Sequence, residues 1–323
     1  MRGLSALVFG LLPCVLLAAC GRGPSDASPD LLLLGGTVHD GSGAEPFTAD
    51  VAVSGETISF VGDASAEGVE ADDTVDVSGL MVTPGFIDMH SHAELDEAWG
   101  SESLPFLYQG ITTVVLGVDG GGTPEVADRL ALWERQGIGT NALTYVGHGA
   151  VRRRVMGEAD RAPTADEMEE MKALVRTGMA EGAFGFSTGL FYVPGTYAAT
   201  GEVIELATAA VEAAGPEGSI YDTHDRDLGA VYRGVGYLAS IREGIRITGA
   251  SGSRGIFSHF NAQGARNYGR APEGAALIDS ARAAGVRVAG AQHVYTATQS
   301  NLRSYTIPDW AAAGGDTAMI RRF

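Results

Sequence analysis

Two patterns of apolar and polar positions divide the chain. From Leu31 to about Met81, short runs rich in Val and Ile (LLLLGGTVHDGSG, DVAVSGETISFVG, DTVDVSGLMV) are separated by Gly and Asp turns. Such runs predict strands, with Gly35-Gly36 and Ser54-Gly55-Glu56 as turn sites, so residues 31–82 form a small β-rich unit. From Val82 onward short apolar runs alternate with helical stretches. The predicted strands are Val82–Met89, Thr112–Leu116, Ala142–Gly147, Ala183–Ser187, Ser219–Thr223, Gly255–Ser258 and Val286–Ala289. Between them, Thr164 and Glu167 form a capping box for a helix that stops at Gly182, and further helices span Thr200–Ala214 and Gly274–Ala284. Strand–helix alternation implies a parallel sheet, here an α/β, TIM-like (β/α) barrel over residues 83–323 with about seven of the eight strands that a closed barrel needs.

The length of 323 residues suits one barrel-sized domain with a small companion. A net charge of −18 argues against a nucleic-acid partner, because phosphate binding needs clustered Lys and Arg. The first twenty residues, MRGLSALVFGLLPCVLLAAC, have Arg2, then an apolar run, then small residues before Cys20. This is the pattern of a bacterial lipoprotein signal peptide, with Cys20 as the lipidated residue and residues 21–30 as a polar tether. The expected location is outside the cytoplasm, on the periplasmic or cell-surface side of a bacterial membrane, held by the lipid anchor alone. An ordinary signal peptide with a chance Cys is the alternative. Cys14 falls inside the leader, so the body of the protein has no thiolate ligand and no disulfide.

Six of the seven histidines, His90, His92, His148, His224, His259 and His293, lie at or near the C-terminal end of a predicted strand. Those ends converge on one face of a barrel, where active sites are built. Neutral imidazole is a good ligand for zinc and similar ions. His90 and His92 are two apart on an extended segment and so project to the same side. An isolated His-x-His suits a surface loop better than a metal site; preceded by GFIDM and followed by His224 and His259, it reads as a metal site.

On these residues the chain resembles the amidohydrolase superfamily, and within it the N-acyl-D-amino-acid deacylases, the D-aminoacylase family. TPGFIDMHSH resembles the strand-one signature. GITTVVLG, YVGHGAVRRRVMG, RAPTADEM, GAFGFSTGLFYVPGTYA, IYDTHDRD and FSHF resemble further blocks of that family, in its order, from about Leu31 to the end. The resemblance implies metal-dependent hydrolysis of N-acyl-D-amino acids to a D-amino acid and a carboxylate, with one or two Zn2+ ions. It implies that His224 and His259 hold the tighter zinc and that His90 and His92 serve a second position. Asp119 stands where the family has a bridging Cys, and its other reading is a turn residue before Gly120-Gly121-Gly122. Tyr192 matches a tyrosine that positions the scissile amide, with a core aromatic as the alternative. Asn261 stands where the family has a lysine that contacts the substrate carboxylate. Arg226 is a nearby cation that either substitutes for that lysine or forms a surface salt bridge. His148 and Arg152 match family positions without a role that chemistry assigns.

The family's general acid/base is an Asp at the end of strand eight, and no residue here can be nominated for it, because the chain stops at Phe323 soon after strand seven. The expectation is therefore an amidohydrolase truncated at its C-terminus. Two competing readings stand beside it. One is a catalytically inactive fragment or lipid-anchored binding protein that keeps the pocket. The other is an enzyme for a different amide, such as a dipeptidase or cyclic-amide hydrolase.

Overall fold

The computed structural model describes residues 28–215, 218–229, 235–293, 295–297 and 299–323. The leader over 1–20, Cys20 and most of the tether lie outside the described residues. Among the described residues, no helix is long and apolar enough to cross a membrane. The chain divides into two compact units between Pro84 and Gly85.

In the first unit, β1 (Leu31–Val38), β2 (Phe47–Ser54) and β3 (Thr57–Gly62) are followed by α1 (Ala64–Glu67), β4 (Asp73–Asp76) and β5 (Met81–Val82). The sheet order is β3-β2-β1-β4, and β5 pairs with β1 beyond β4. β1 runs antiparallel to β2 and parallel to β4 and β5. The β1–β2 register slips between Leu33 and Gly36, where Gly35 takes a φ of +70° and its N–H donates to Asp50 Oδ1 at 2.8 Å. This is a bulge that only glycine adopts without strain.

The strand expected over Val82–Met89 is in fact two. Val82 ends β5, and β6 begins at Phe86. Pro84 has no N–H to give a ladder, so the two pairings separate there.

The second unit contains a parallel sheet of seven strands. It runs through β6 (Phe86–Asp88), α2 (Leu104–Leu107), β7 (Ile111–Leu116), α3 (Val126–Gln136), β8 (Asn141–Gly147), α4 (His148–Met156) and α5 (Ala165–Ala180). There follow β9 (Gly185–Gly189), α6 (Thr200–Ala214), β10 (Ile220–His224), α7 (Tyr237–Ser251), β11 (Arg254–Phe257), α8 (Ala271–Ala283) and β12 (Val288–Gly290). Three helices close the chain: α9 (Leu302–Thr306), α10 (Asp309–Ala312) and α11 (Gly315–Arg322). Spatial order equals chain order from β6 to β12, and each neighbouring pair is parallel. This is the curled sheet of an incomplete (β/α) barrel with seven strands. The capping box at Thr164 forms as expected. Helix α8 starts at Ala271 rather than Gly274, because Pro272 fits the first helical turn, where its missing N–H costs nothing.

Side-chain parity sorts the sheet into two faces. Val115, Tyr145, Ile220 and Ile256 form one cluster inside the curl, with Gly185 of β9 in register with Tyr145 and Ile220. Their neighbours Val146, Phe186 and Tyr221 pack outward against helices α4 to α6, and Phe257 against α7 and α8. Continuing the inner parity places Ser187, Asp222, His224 and Ser258 on the inner face above the apolar layer.

His148 and Arg152 are fully buried but belong to a different network. His148 Nε2 lies 2.9 Å from Glu202 Oε1, and Arg152 Nη1 reaches both Glu202 oxygens at 2.6 Å. Arg152 Nη2 also donates to the carbonyls of Ala159 (3.2 Å) and Arg161 (2.6 Å). The network ties α4 to α6 and to the loop before α5. Burial alone would raise the Glu202 carboxyl, but His148 and Arg152 outweigh it and hold it below its ordinary 4.5. Glu202→Ala should cost about 3–5 kcal/mol, because it strands a buried guanidinium; denaturant unfolding measures this. In the wild type the Glu202 contribution is present above pH 4.5 and is lost as pH falls through its lower folded value. The loss should be smaller in Glu202→Gln, checked by unfolding midpoints from pH 6 down to about 3.

Candidate metal centre

Four side chains meet above the inner face. His90 and His92 follow β6, Asp119 follows β7, and His259 follows β11. One donor atom from each lies within 4.8 Å of all the others. The Asp119 carboxylate is the hub: His90 Nε2 is 3.3 Å from Oδ1, His259 Nε2 is 3.7 Å from Oδ1, and His92 Nε2 is 3.4 Å from Oδ2. The side chains of His90 and Asp119 are buried or nearly so, whereas His92 is largely exposed. His90 Nε2 and Asp119 Oδ1 have no hydrogen-bond partner. Two buried polar atoms that face each other at 3.3 Å without forming a hydrogen bond, converging with two further imidazoles, fit a divalent cation.

The loop that carries Asp119 is built for close approach. Asp119 itself has a φ of +55° and His259 a φ of +51°. Each pays the strain of a left-handed backbone, of order 1–2 kcal/mol. Gly120 has a φ of +72°, and a Cβ there would stand 2.8 Å from the Gly189 amide nitrogen. Ser187 on β9 fastens the loop, donating to the Gly117 carbonyl at 2.5 Å and accepting from the Gly120 N–H at 3.2 Å. Asp119 is therefore both a turn residue and a member of the cluster.

The electrostatics hold the donors in a mixed state. Burial would raise the Asp119 carboxyl, but His259, His90 and His92 hold it well below the carboxylate range. Burial would push the His90 imidazole down; Asp222 and Asp119 reverse this and carry it up to about 10. His224 is the opposite case. Burial, helped by His259, pushes it down to about 4. Its Nδ1–H donates to the Asp225 carbonyl at 3.1 Å, so Nε2 carries the lone pair. His224 lies outside the group of four, its ring centroid 5.0 Å from that of His259.

Beneath His90 sits a pair that the sequence reading did not single out. His90 Nδ1 is 3.1 Å from both oxygens of Asp222, and Ser258 Oγ donates to Asp222 Oδ1 at 2.7 Å. Ser258 Oγ is also 2.6 Å from His90 Nδ1 and accepts from it. Asp222 is fully buried. A carboxylate on Nδ1–H fixes the ring and directs Nε2 to the metal side.

The three substrate-contact residues expected from the sequence part company. Tyr192 lines the cavity over the histidines and packs edge-on to His224, with ring centroids 4.7 Å apart. Asn261 is not on the wall. Its Nδ2 donates to His293 Nε2 at 2.9 Å, and His293 Nδ1–H donates to the Tyr295 carbonyl at 3.0 Å, while the His293 and Tyr295 rings stack at 4.4 Å. Both nitrogens of His293 are thus occupied. Arg226 is turned away, its guanidinium bound by Glu243 and by the carbonyls of Thr196 and Ala198, so the salt-bridge alternative holds for it. Asp222→Asn should keep the fold and weaken divalent-metal binding by roughly 10–100-fold, as loss of a ligand-orienting carboxylate does. A cobalt titration followed by its visible absorption measures this, and an unchanged affinity would remove Asp222 from the centre.

A model of the amidohydrolase family matches residues 73–314. D-aminoacylase from Alcaligenes xylosoxydans xylosoxydans is 36% identical over 283 residues, which are 80% of this chain and 56% of that protein. N-acyl-D-aspartate deacylase from the same organism is 35% identical over 301 residues, 86% of this chain and 58% of that protein. Among solved structures, N-acyl-D-glutamate deacylase from Bordetella bronchiseptica, complexed with zinc and a phosphonate mimic of the tetrahedral intermediate, is similar with a TM-score of 0.75 at 31% identity. The match covers 83% of this chain and 59% of that one. The chain thus spans less than two thirds of the length of these relatives. Because the family model covers well over half of its residues, and the metal-type cluster lies inside the matched region, this chain belongs to the amidohydrolase family.

Proposed function

We propose that this chain carries the metal site of a zinc-dependent hydrolase that cleaves the C–N bond of N-acyl-D-amino acids or closely related amides. The observation that carries the reading is the group of His90, His92, Asp119 and His259, with two of its donor atoms buried and making no hydrogen bond. The kinship with D-aminoacylase and with a zinc-containing deacylase structure supports the choice of ion and reaction. His90, His92, Asp119 and His259 would hold zinc, and His224 offers a neutral nitrogen beside His259. Zinc, when bound, polarises the amide carbonyl and makes a water nucleophilic near neutral pH. Burial and the Asp119 charge push the Tyr192 phenol up to about 12, so its O–H stays intact and can donate to a substrate carbonyl. The leader over residues 1–20 supports export, with Cys20 as the lipid-anchored residue.

A second reading has one observation in its favour. Among the described residues, the cavity wall has two carboxylates, Asp119 and Glu94, and Asp119 is committed to the imidazoles. A binding protein that retained the pocket would look the same. Metal analysis with a deacylation assay separates the two. For the enzyme, zinc co-purifies, N-acyl-D-amino acids are hydrolysed, and His259→Ala loses both. Asp119→Ala should lower zinc affinity by at least ~100-fold, since it removes the shared ligand. Stoichiometric zinc without turnover on any amide, dipeptides and cyclic amides included, would establish the binding protein.

A further inference from the structure

The cavity over the imidazoles has a volume of about 1000 Å³, and Glu94 stands on its wall beside His92. His92 and Glu94 line the cavity, whereas Ala93 and Leu95, which alternate with them, are buried against Val114 and Trp133. That alternation aims the carboxylate. The backbone behind it is pinned: the Glu94 carbonyl accepts the Glu97 N–H at 3.2 Å, and a Cβ on Gly100 would stand 2.3 Å from the same oxygen. Among the described residues the Glu94 carboxylate has no hydrogen-bond or ion-pair partner. Tyr192, Tyr295 and Tyr305 share the wall. Tyr295 stacks one face flat on His293 and is 63% exposed, so its other face is open. We infer that the substrate carries a cationic group, an ammonium or a guanidinium, which Glu94 and the tyrosine faces bind, in addition to the carboxylate of an N-acyl-D-amino acid. The inference rests on the amide-hydrolase reading and narrows its substrate class to amides with a basic side chain or a basic acyl chain.

A free carboxylate and electron-rich ring faces on one wall are complementary to one kind of ligand. A cation over an aromatic face is attracted by the ring quadrupole, and the same cation forms a charge-assisted pair with a carboxylate. An apolar side chain would use the rings but would strip water from Glu94 without replacing it. A second acidic group on the substrate would be repelled. Asp119 does not compete for the cation, because its oxygens face His90, His92 and His259. The amides of Gln263 and Asn301 on the same wall donate as well as accept, so they can serve the amino-acid carboxylate. The overall charge of −18 draws cations toward the protein before they reach the cavity.

The test is an equilibrium titration of the full chain, loaded with zinc, with two matched pairs of compounds. Nα-acetyl-D-lysine against N-acetyl-D-norleucine places the charge on the amino-acid side of the amide. N-(6-aminohexanoyl)-D-alanine against N-hexanoyl-D-alanine places it on the acyl side. The cationic member of at least one pair should bind about tenfold tighter, the size of one exposed ion pair with one cation–π contact, and the gap should narrow as salt rises. The pair that shows the gap identifies the side of the amide that faces Glu94. Glu94→Gln should bring that pair to nearly equal affinity, and Glu94→Lys should reverse its order. Each is a ratio within one variant, so a general loss of stability does not imitate it. No gap in either pair, a gap that survives Glu94→Gln, or binding of none of the four compounds overturns the inference. The same compounds are assayed for hydrolysis. A gap in binding with no turnover fells the catalytic reading and leaves the charge inference standing, whereas turnover with no preference for the cationic members does the reverse.

Discussion

One carboxylate shared by three imidazoles is the interaction on which the centre depends. Burying an unpaired carboxylate costs several kcal/mol, so Asp119 needs its partners as much as they need it. His90 and His92 come from the end of β6 and His259 from the end of β11, and only the curl of the sheet brings those strands over the same point. The left-handed backbones at Asp119 and His259 are tolerated for this convergence. Gly120 and Gly189 pack backbone against backbone so that the Asp119 loop can lie on the end of β9.

The same parity that builds the apolar layer also builds the polar one. Ile220, Asp222 and His224 face inward from one strand, as do Ile256 and Ser258 from the next. The lower residues fill the curl, the middle ones orient His90, and the upper ones reach the cavity. The His148–Arg152–Glu202 network is separate and serves the helical layer. Its presence explains His148 and Arg152 of the YVGHGAVRRRVMG block without assigning them to chemistry.

Much of this was legible in the sequence. Seven strands, the small β unit, the capping box at Thr164 and the strand-end histidines follow from periodicity and punctuation. The pairing of Asp222 with His90 was also accessible, since it lies two residues before His224 and so shares its face. It passed unnoticed because an acidic residue inside a short strand has no motif of its own. Arg226 and Asn261 could not be placed from sequence. Their partners, Glu243 on α7 and His293 after β12, are set by tertiary packing, and a cation near a strand end looks the same whichever way it turns. The break at Pro84 was signalled by the proline itself, but the apolar run across it hid the change of sheet.

The strict identity of spatial and chain order has a consequence for biosynthesis. During vectorial synthesis each strand can add to the edge left by the one before it, so the sheet can grow without waiting for distant segments. The site cannot. His90 meets Ser258 across 168 positions, and Asp119 must likewise wait for His259. Until β11 joins the sheet, the hub carboxylate is without one of its three imidazoles. Burial of that charge is therefore a late event, a checkpoint passed only by a chain whose strands have docked in register.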